Sequence, residues 1–162
     1  MPGDLCEWHA SGMSKILPAL FLLLFPALVT VQAGSAAEDE ASQVALEFIN
    51  GYVKALPGFT DGYESAIAWV AKSPLATDSY KSALAKLYRD GLKKDPEAGY
   101  GSDAVLGGQD FPDVFHVKKS RASEAKATVI LSGDASFPME VRVLLVRSDG
   151  HWLVDGSGDL IR

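Results

Sequence analysis

A single cysteine, Cys6, serves the whole 162-residue chain. That excludes an intrachain disulfide and leaves no CxxC pair for redox chemistry or zinc. Positive charge is also scarce: 15 Lys and Arg stand against 21 Asp and Glu, a formal net charge of −6. Nucleic-acid phosphates would be repelled without a basic patch, and the densest basic cluster, Lys118, Lys119 and Arg121, reads as a solvated strand edge. The three histidines, His9, His116 and His151, lack zinc spacing. No GxSxG marks a nucleophile. Asp155-Gly156-Ser157-Gly158-Asp159 imitates the start of a calcium loop, but Leu160 stands where glycine is needed and no bidentate glutamate follows. Neither metal nor cofactor is expected.

A membrane-spanning run is missing too. Residues 16–31 (ILPALFLLLFPALVTV) are apolar but contain Pro18 and Pro26, and they fall short of the ~20 residues a spanning helix needs. Lys15 precedes them and Val31-Gln32-Ala33 follows, the small-x-small pattern of a signal-peptidase site. Residues 13–33 therefore read as a signal peptide starting at Met13. Residues 1–12, with acidic Asp4 and Glu7, suit no leader and read as a non-native upstream extension. No cysteine follows the apolar run, so there is no lipid-attachment box, and a periplasmic or secreted protein without a membrane anchor is expected.

After a flexible acidic lead-in over 34–40, one domain is expected over 41–160. Val44, Phe48, Tyr52 and Leu56 recur every fourth residue, with Ala45, Ile49 and Val53 beside them, predicting an amphipathic helix ended by Pro57-Gly58. A second helix fits 61–72, with Tyr63, Ile67 and Val70 on one face. Thr77 caps a third, lined by Tyr80, Leu84, Leu87, Tyr88 and Leu92. The tyrosines on these stripes suit core packing, with a ligand cavity as the alternative.

Beyond residue 113 the period changes to two. Strands are predicted from Val114, over 124–131, over 139–147, and from His151 to Asp155 after a tight Ser148-Asp149-Gly150 turn. Connections this short make an antiparallel meander, and helices followed by strands give an α+β layer fold. Between the halves lies Asp95–Asp113, rich in glycine, with five Asp/Glu and no Lys or Arg. At that length it reads as a functional or mobile loop rather than a plain connection.

The three-helix half ending at Asp95-Pro96, the Gln109-Asp110 pair and the closing Gly150-x-Trp152-x-x-Asp155 together resemble exported bacterial proteins grouped as domain of unknown function 3828. That group belongs to the nuclear-transport-factor-2-like (cystatin-like) superfamily. The resemblance implies helices packed into a curled antiparallel sheet forming a cone with a pocket. It implies no particular activity, because function lives in the site and not in the fold.

Candidate ligand- or partner-binding residues are Asp95, Tyr100, Gln109, Asp110, His116, Trp152 and Asp155. Asp110 is expected to clamp the central loop by accepting successive backbone N–H groups, with Gly107 and Gly108 supplying the backbone freedom. Trp152 is expected to face the helices. The leading functional reading is a module that binds a small ligand or a periplasmic protein, with homodimer formation open. One alternative is a pocket enzyme using Asp110 and His116 as its acid–base pair. Another is an inhibitor or immunity-type protein that presents its acidic loop to a basic target. Enzymatic activity is the less favoured reading, and no catalytic residue is assigned.

Overall fold

A computed structural model describes residues 33–161. The upstream extension expected over 1–12, and the leader expected over 13–33 apart from Ala33, lie outside the described residues. Helix α1 (Ala33–Ala55) passes through a short 3-10 turn at Leu56–Gly58 to α2 (Tyr63–Lys72) and α3 (Asp78–Lys94). After the central loop come β1 (His116–Ala122), β2 (Lys126–Ser132), β3 (Glu140–Ser148) and β4 (His151–Ser157), and a 3-10 turn at Gly158–Leu160. Residues 34–40, expected as a flexible lead-in, are instead the first turns of α1. Ala33, Ala36, Ala37 and Ala41 give this stretch high helix propensity.

The four strands pair in chain order, β1-β2-β3-β4, all antiparallel. The α+β meander is therefore as read. The sheet is open, with β1 and β4 as its edges, so it does not close on itself. Ala127, Val129 and Leu131 of β2, Val141, Val143 and Leu145 of β3, and Trp152 and Val154 of β4 are buried on one face. Opposite them α1 buries Ala41, Ala45, Phe48, Ile49, Tyr52 and Val53. Side chains fill the space between sheet and helix, joined by Tyr80, Leu84 and Tyr88 of α3. Helices α2 and α3 pack on each other, and α3 meets the β4 side.

The β3–β4 turn has positive φ at both Asp149 (51°) and Gly150 (84°). This is the backbone a two-residue hairpin needs to follow the strand twist, and Asp-Gly supplies it. At the β4 edge the segment entering α3 adds a short parallel bridge, with Val154 N donating to Leu75 O (2.7 Å) and Thr77 N donating to Val154 O (2.9 Å). Thr77 then caps α3, its Oγ1 accepting from Tyr80 N at 3.1 Å.

Two irregularities break the alternation of faces. Between Val117 and Lys119 the β1–β2 register slips by one residue. Val117 opposes inward Leu131, but beyond the slip Ser120 opposes inward Val129, which turns Lys119 and Arg121 to the outer face. In β4 the slip leaves Asp155 without an opposite residue, and Ser157 then faces inward opposite Val143. The β4 slip lies beyond Trp152, which keeps its place on the inner face with 4% of its surface exposed.

Candidate functional site

Tyrosines from all three helices hold the central loop. Tyr52 of α1 donates its hydroxyl to Asp103 Oδ2 at 2.7 Å. Tyr63 of α2 donates to Ala98 O (3.1 Å) and accepts from Gly101 N (2.9 Å). From α3, Tyr88 accepts from Ala104 N at 2.9 Å. Tyr80 bonds Ser157 Oγ at 2.7 Å, and the Ser157 hydroxyl donates to Val105 O at 2.8 Å. Tyr100, inside the loop, donates to Asp159 Oδ2 at 3.1 Å. Tyr52, Tyr80 and Tyr88 thus pack as core, the favoured reading, while half-buried Tyr63 joins Tyr52, Tyr88 and Asp103 in lining a depression of about 250 Å³.

Asp103 is the clamp. Its Oδ1 accepts from Val105 N (2.9 Å) and Leu106 N (3.0 Å), while its carbonyl accepts from Gly107 N at 2.7 Å. Gly107, at φ 75°, closes the turn in the left-handed region. This single capped turn buries Ala104, Val105 and Leu106 completely or nearly so. Gly158 fits beneath it so closely that a Cβ there would stand 2.5 Å from Ala104 O. Burial raises the pKa of Asp103 above the usual carboxylate range, against the lowering effect of its bonds from Tyr52, Leu106 and Val105. Burial, then the nearby Asp103 charge, raises the Tyr52 hydroxyl likewise.

The clamp expected at Asp110 is therefore misplaced. Asp110 is exposed, and its carboxylate accepts no hydrogen bond among the described residues. The covered positions beside it go to Phe111, half-buried, and Pro112, buried. Its neighbour Gln109 staples the loop to itself, Nε2 donating to Gly101 O at 2.7 Å. Asp110→Ala should leave stability within about ±0.5 kcal/mol of wild type, as for an ordinary surface change. Thermal melts without added ligand check this, and a loss above ~1 kcal/mol would return Asp110 to the clamp.

The other candidates scatter. Asp95 ends α3 and shapes a turn, its Oδ1 accepting from Glu97 N and Ala98 N at 3.0 and 2.9 Å. Asp155 Oδ1 accepts from Thr77 Oγ1 at 2.6 Å, tying the α3 cap to β4. Trp152 lies in the core with its Nε1 unpaired among the described residues. Two candidates face recesses: Tyr100 lines a depression of about 390 Å³ between α3 and the loop, with Leu87, Gly91 and Leu160, and His116 lines a separate one of about 330 Å³ with, among others, Phe111, Pro112, Val114, Asp134 and Phe137. Asp110 does not line it, so the structure does not assemble the Asp110–His116 pair.

That depression has a feature the sequence reading missed. Val114, Val117 and Phe137 are the large hydrophobics left exposed among the described residues, at 51%, 39% and 37%. Val114 and Phe137 share the depression, whereas Val117, next to His116 on β1, faces the other side of the strand. Both loops are held. Asn50 of α1 accepts from Phe115 N (2.8 Å) and donates to Phe115 O (3.0 Å), so Phe115 points in and Val114 out. Asp134 accepts from Ser136 N (2.9 Å) and Phe137 N (3.1 Å), fixing the turn that carries Phe137. Bonds from the Ser136 side chain and backbone lower the pKa of Asp134.

No protein-family model matches this chain, and no curated protein does. Among solved structures it is similar to the crystal structure of the type VI native effector-immunity complex Tae3-Tai3 from Ralstonia pickettii, with 21% identity. That match covers 72% of this chain and 92% of the matched chain, at a TM-score of 0.46. At that identity and score the likeness is too slight to bear on what this chain binds.

Proposed function

We propose that this chain is an exported protein-binding module that docks a partner protein on the corner formed by Val114 and Phe137. One observation carries the reading: Val114 and Phe137, two of the three large hydrophobics left exposed among the described residues, share one depression on two loops that side-chain clamps hold in place. Scattered apolar residues are ordinary on a protein surface, whereas a rigid apolar cluster marks a contact site. The corner costs little ordering entropy on binding because Asn50 and Asp134 already fix its backbone. Export rests on the leader read in the sequence, and no helix of the described residues is long and apolar enough to cross a membrane.

This reading includes the inhibitor or immunity-type partner given above as an alternative, with the contact moved from the acidic loop to the apolar corner. The loop's Asp95 and Asp103 are engaged in its own turns. A small-ligand reading is less favoured because the recesses at His116, at Tyr100 and beside Tyr52 and Tyr63 are open surface depressions and none is an enclosed cavity. The resemblance to the family of unknown function is kept as a proposal and adds no activity.

Photo-cross-linking in an exporting bacterium tests it, with the reactive residue placed at Phe137 and, as control, at exposed Ala125 in the β1–β2 turn. A discrete adduct from Phe137 alone, lost on Val114→Ser, is the expected result. Equal adducts from both positions, or none from Phe137, would remove the docking corner. A product at twice the chain's own mass would make the corner a homodimer contact and overturn the partner reading.

A further inference from the structure

Helix α1 covers the inner face of the sheet, and the outer face is open. Ile130 of β2, Leu144 and Val146 of β3, and Leu153 of β4 are half-buried there; no helix α1–α3 covers them, and the central loop and the Gly158–Leu160 turn border only the Ile130–Arg142 end. Around them stand exposed Lys119, Arg121 and Arg142. The register makes these a group: Ile130 pairs with Lys119 on one side and Arg142 on the other, and Arg121 pairs with Thr128 in the next row. These five residues line a depression of about 300 Å³.

The β1 bulge builds this arrangement. Without the slip after Val117, the strand's alternation would place Lys119 and Arg121 with the inward-facing residues. With it, both join Arg142 on the outer face. Bulges are over-represented at sheet edges, where β1 lies, and beside active sites, where they re-aim side chains. Among the described residues, none of the three cations makes a salt bridge, whereas neighbouring Lys118 is paired with Glu140. In a chain with six more acidic than basic groups, three unpaired cations side by side run against composition. Glu140, already paired with Lys118, and Asp159 border the Arg142 end, while no acidic residue lines the depression that Lys119, Arg121 and Arg142 share, so an anion from outside would gain there.

We infer that the outer face of β1–β3 binds an acidic segment of a partner protein, with Lys119, Arg121 and Arg142 holding its carboxylates and Ile130 taking an aliphatic side chain between them. This rests on the protein-binding reading above and adds a second contact surface and its chemistry. Arginine forks match carboxylates in two-point contacts, and aliphatic groups beside them suit a protein chain. None of the outer-face residues named is aromatic, so the face offers no stacking platform for bases, and the net negative charge of the chain repels polyanions at range.

The test is a titration of the mature protein, followed by backbone amide shifts, with a nonapeptide alternating Glu and Leu. A Gln-for-Glu peptide, phosphatidylglycerol vesicles and a single-stranded oligonucleotide serve as rival ligands. Shifts confined to β1–β3 and specific to the Glu peptide are expected. Each of Lys119→Ala, Arg121→Ala and Arg142→Ala should weaken binding about two- to fivefold, and the triple Glu variant should abolish it. Raising salt to about 0.5 M should weaken it further. No response on the outer face, equal response to the Gln peptide, or tighter binding of vesicles or oligonucleotide through the same residues would each overturn the inference. Phe137 cross-linking without an outer-face response removes this surface and leaves the docking corner standing. Loss of both removes the protein-binding reading itself.

Discussion

Trp152→Ala should cost the protein about 3–5 kcal/mol, the range for deleting a large aromatic from a packed core. Trp152 is 4% exposed, sits with Val154 on the inner face of β4, and belongs to the main apolar cluster. Arg147 lies across its ring, with Cζ 5.6 Å from the ring centre, while the same guanidinium reaches Glu40 of α1 at 3.4 Å. Truncation would leave a cavity and strip Arg147 of the surface it packs on. The indole Nε1 is buried without a partner, so Trp152→Phe, which removes that polar group and keeps most of the ring, should cost markedly less than alanine. Chemical denaturation of the three proteins, read by far-ultraviolet circular dichroism, gives the comparison. A loss below ~1 kcal/mol for alanine would mean that the side chain is not core. A phenylalanine variant as unstable as alanine would mean that the indole nitrogen has a partner after all.

The position of Trp152 was legible in the sequence because period-two alternation from Met139 to Val154 is regular and the Asp149-Gly150 turn fixes where it restarts. The helices were legible for the same kind of reason: Phe48, Tyr52, Ile67, Val70, Leu84 and Tyr88 keep helical spacing, and Thr77 sits where an N-cap must. What failed did so where local pattern stops determining geometry. The slips after Val117 and at Asp155 reverse the facing of everything beyond them, and no composition signal distinguishes a bulged strand from a regular one. So Lys118, Lys119 and Arg121 read as one edge cluster, although the bulge separates a paired lysine from two unpaired cations. The loop clamp was read onto Asp110 for its place beside the strand. The informative signal lay a few residues earlier, in Asp103-Ala-Val-Leu-Gly107, where a capping carboxylate precedes three apolar residues and a glycine closes the turn. The docking corner left no trace at all, since Val114 and Phe137 look like core residues until the burial of Phe115 shows which way the chain has turned.

Removing the Asp103 side chain should separate its shape from its charge. Asp103→Ala leaves Val105 N, Leu106 N and the Tyr52 hydroxyl without their acceptor beneath a buried turn, a loss on the order of 2–4 kcal/mol. Asp103→Asn keeps an oxygen for the two backbone N–H groups and turns its amide N–H toward the Tyr52 oxygen, so the turn survives without a charge. The pKa direction decides how the two carboxyl states compare. Burial holds the folded-state pKa of Asp103 above its unfolded value, so the folded protein binds this proton more readily. The stability linked to that proton is present at low pH and is lost as pH rises from the usual carboxylate range through the raised folded value. Asp134 acts in the opposite sense: its pKa is lowered chiefly by the bond from the Ser136 side chain, so its contribution is lost as pH falls. Acid unfolding of the wild type alone would mix the two, but Asp134 is common to wild type and Asp103→Asn, so their difference isolates Asp103. At neutral pH the asparagine variant should be as stable as wild type or more so. That advantage should shrink on acidification as the wild-type carboxyl takes up its proton. Denaturant titrations of both proteins between about pH 3 and pH 7, where a carboxylate with a raised pKa changes charge, provide the measurement. An asparagine variant less stable than wild type at neutral pH, with the gap closing in acid, would mean that the bonds to Tyr52, Val105 and Leu106 outweigh burial and that the loop is held by a charged clamp.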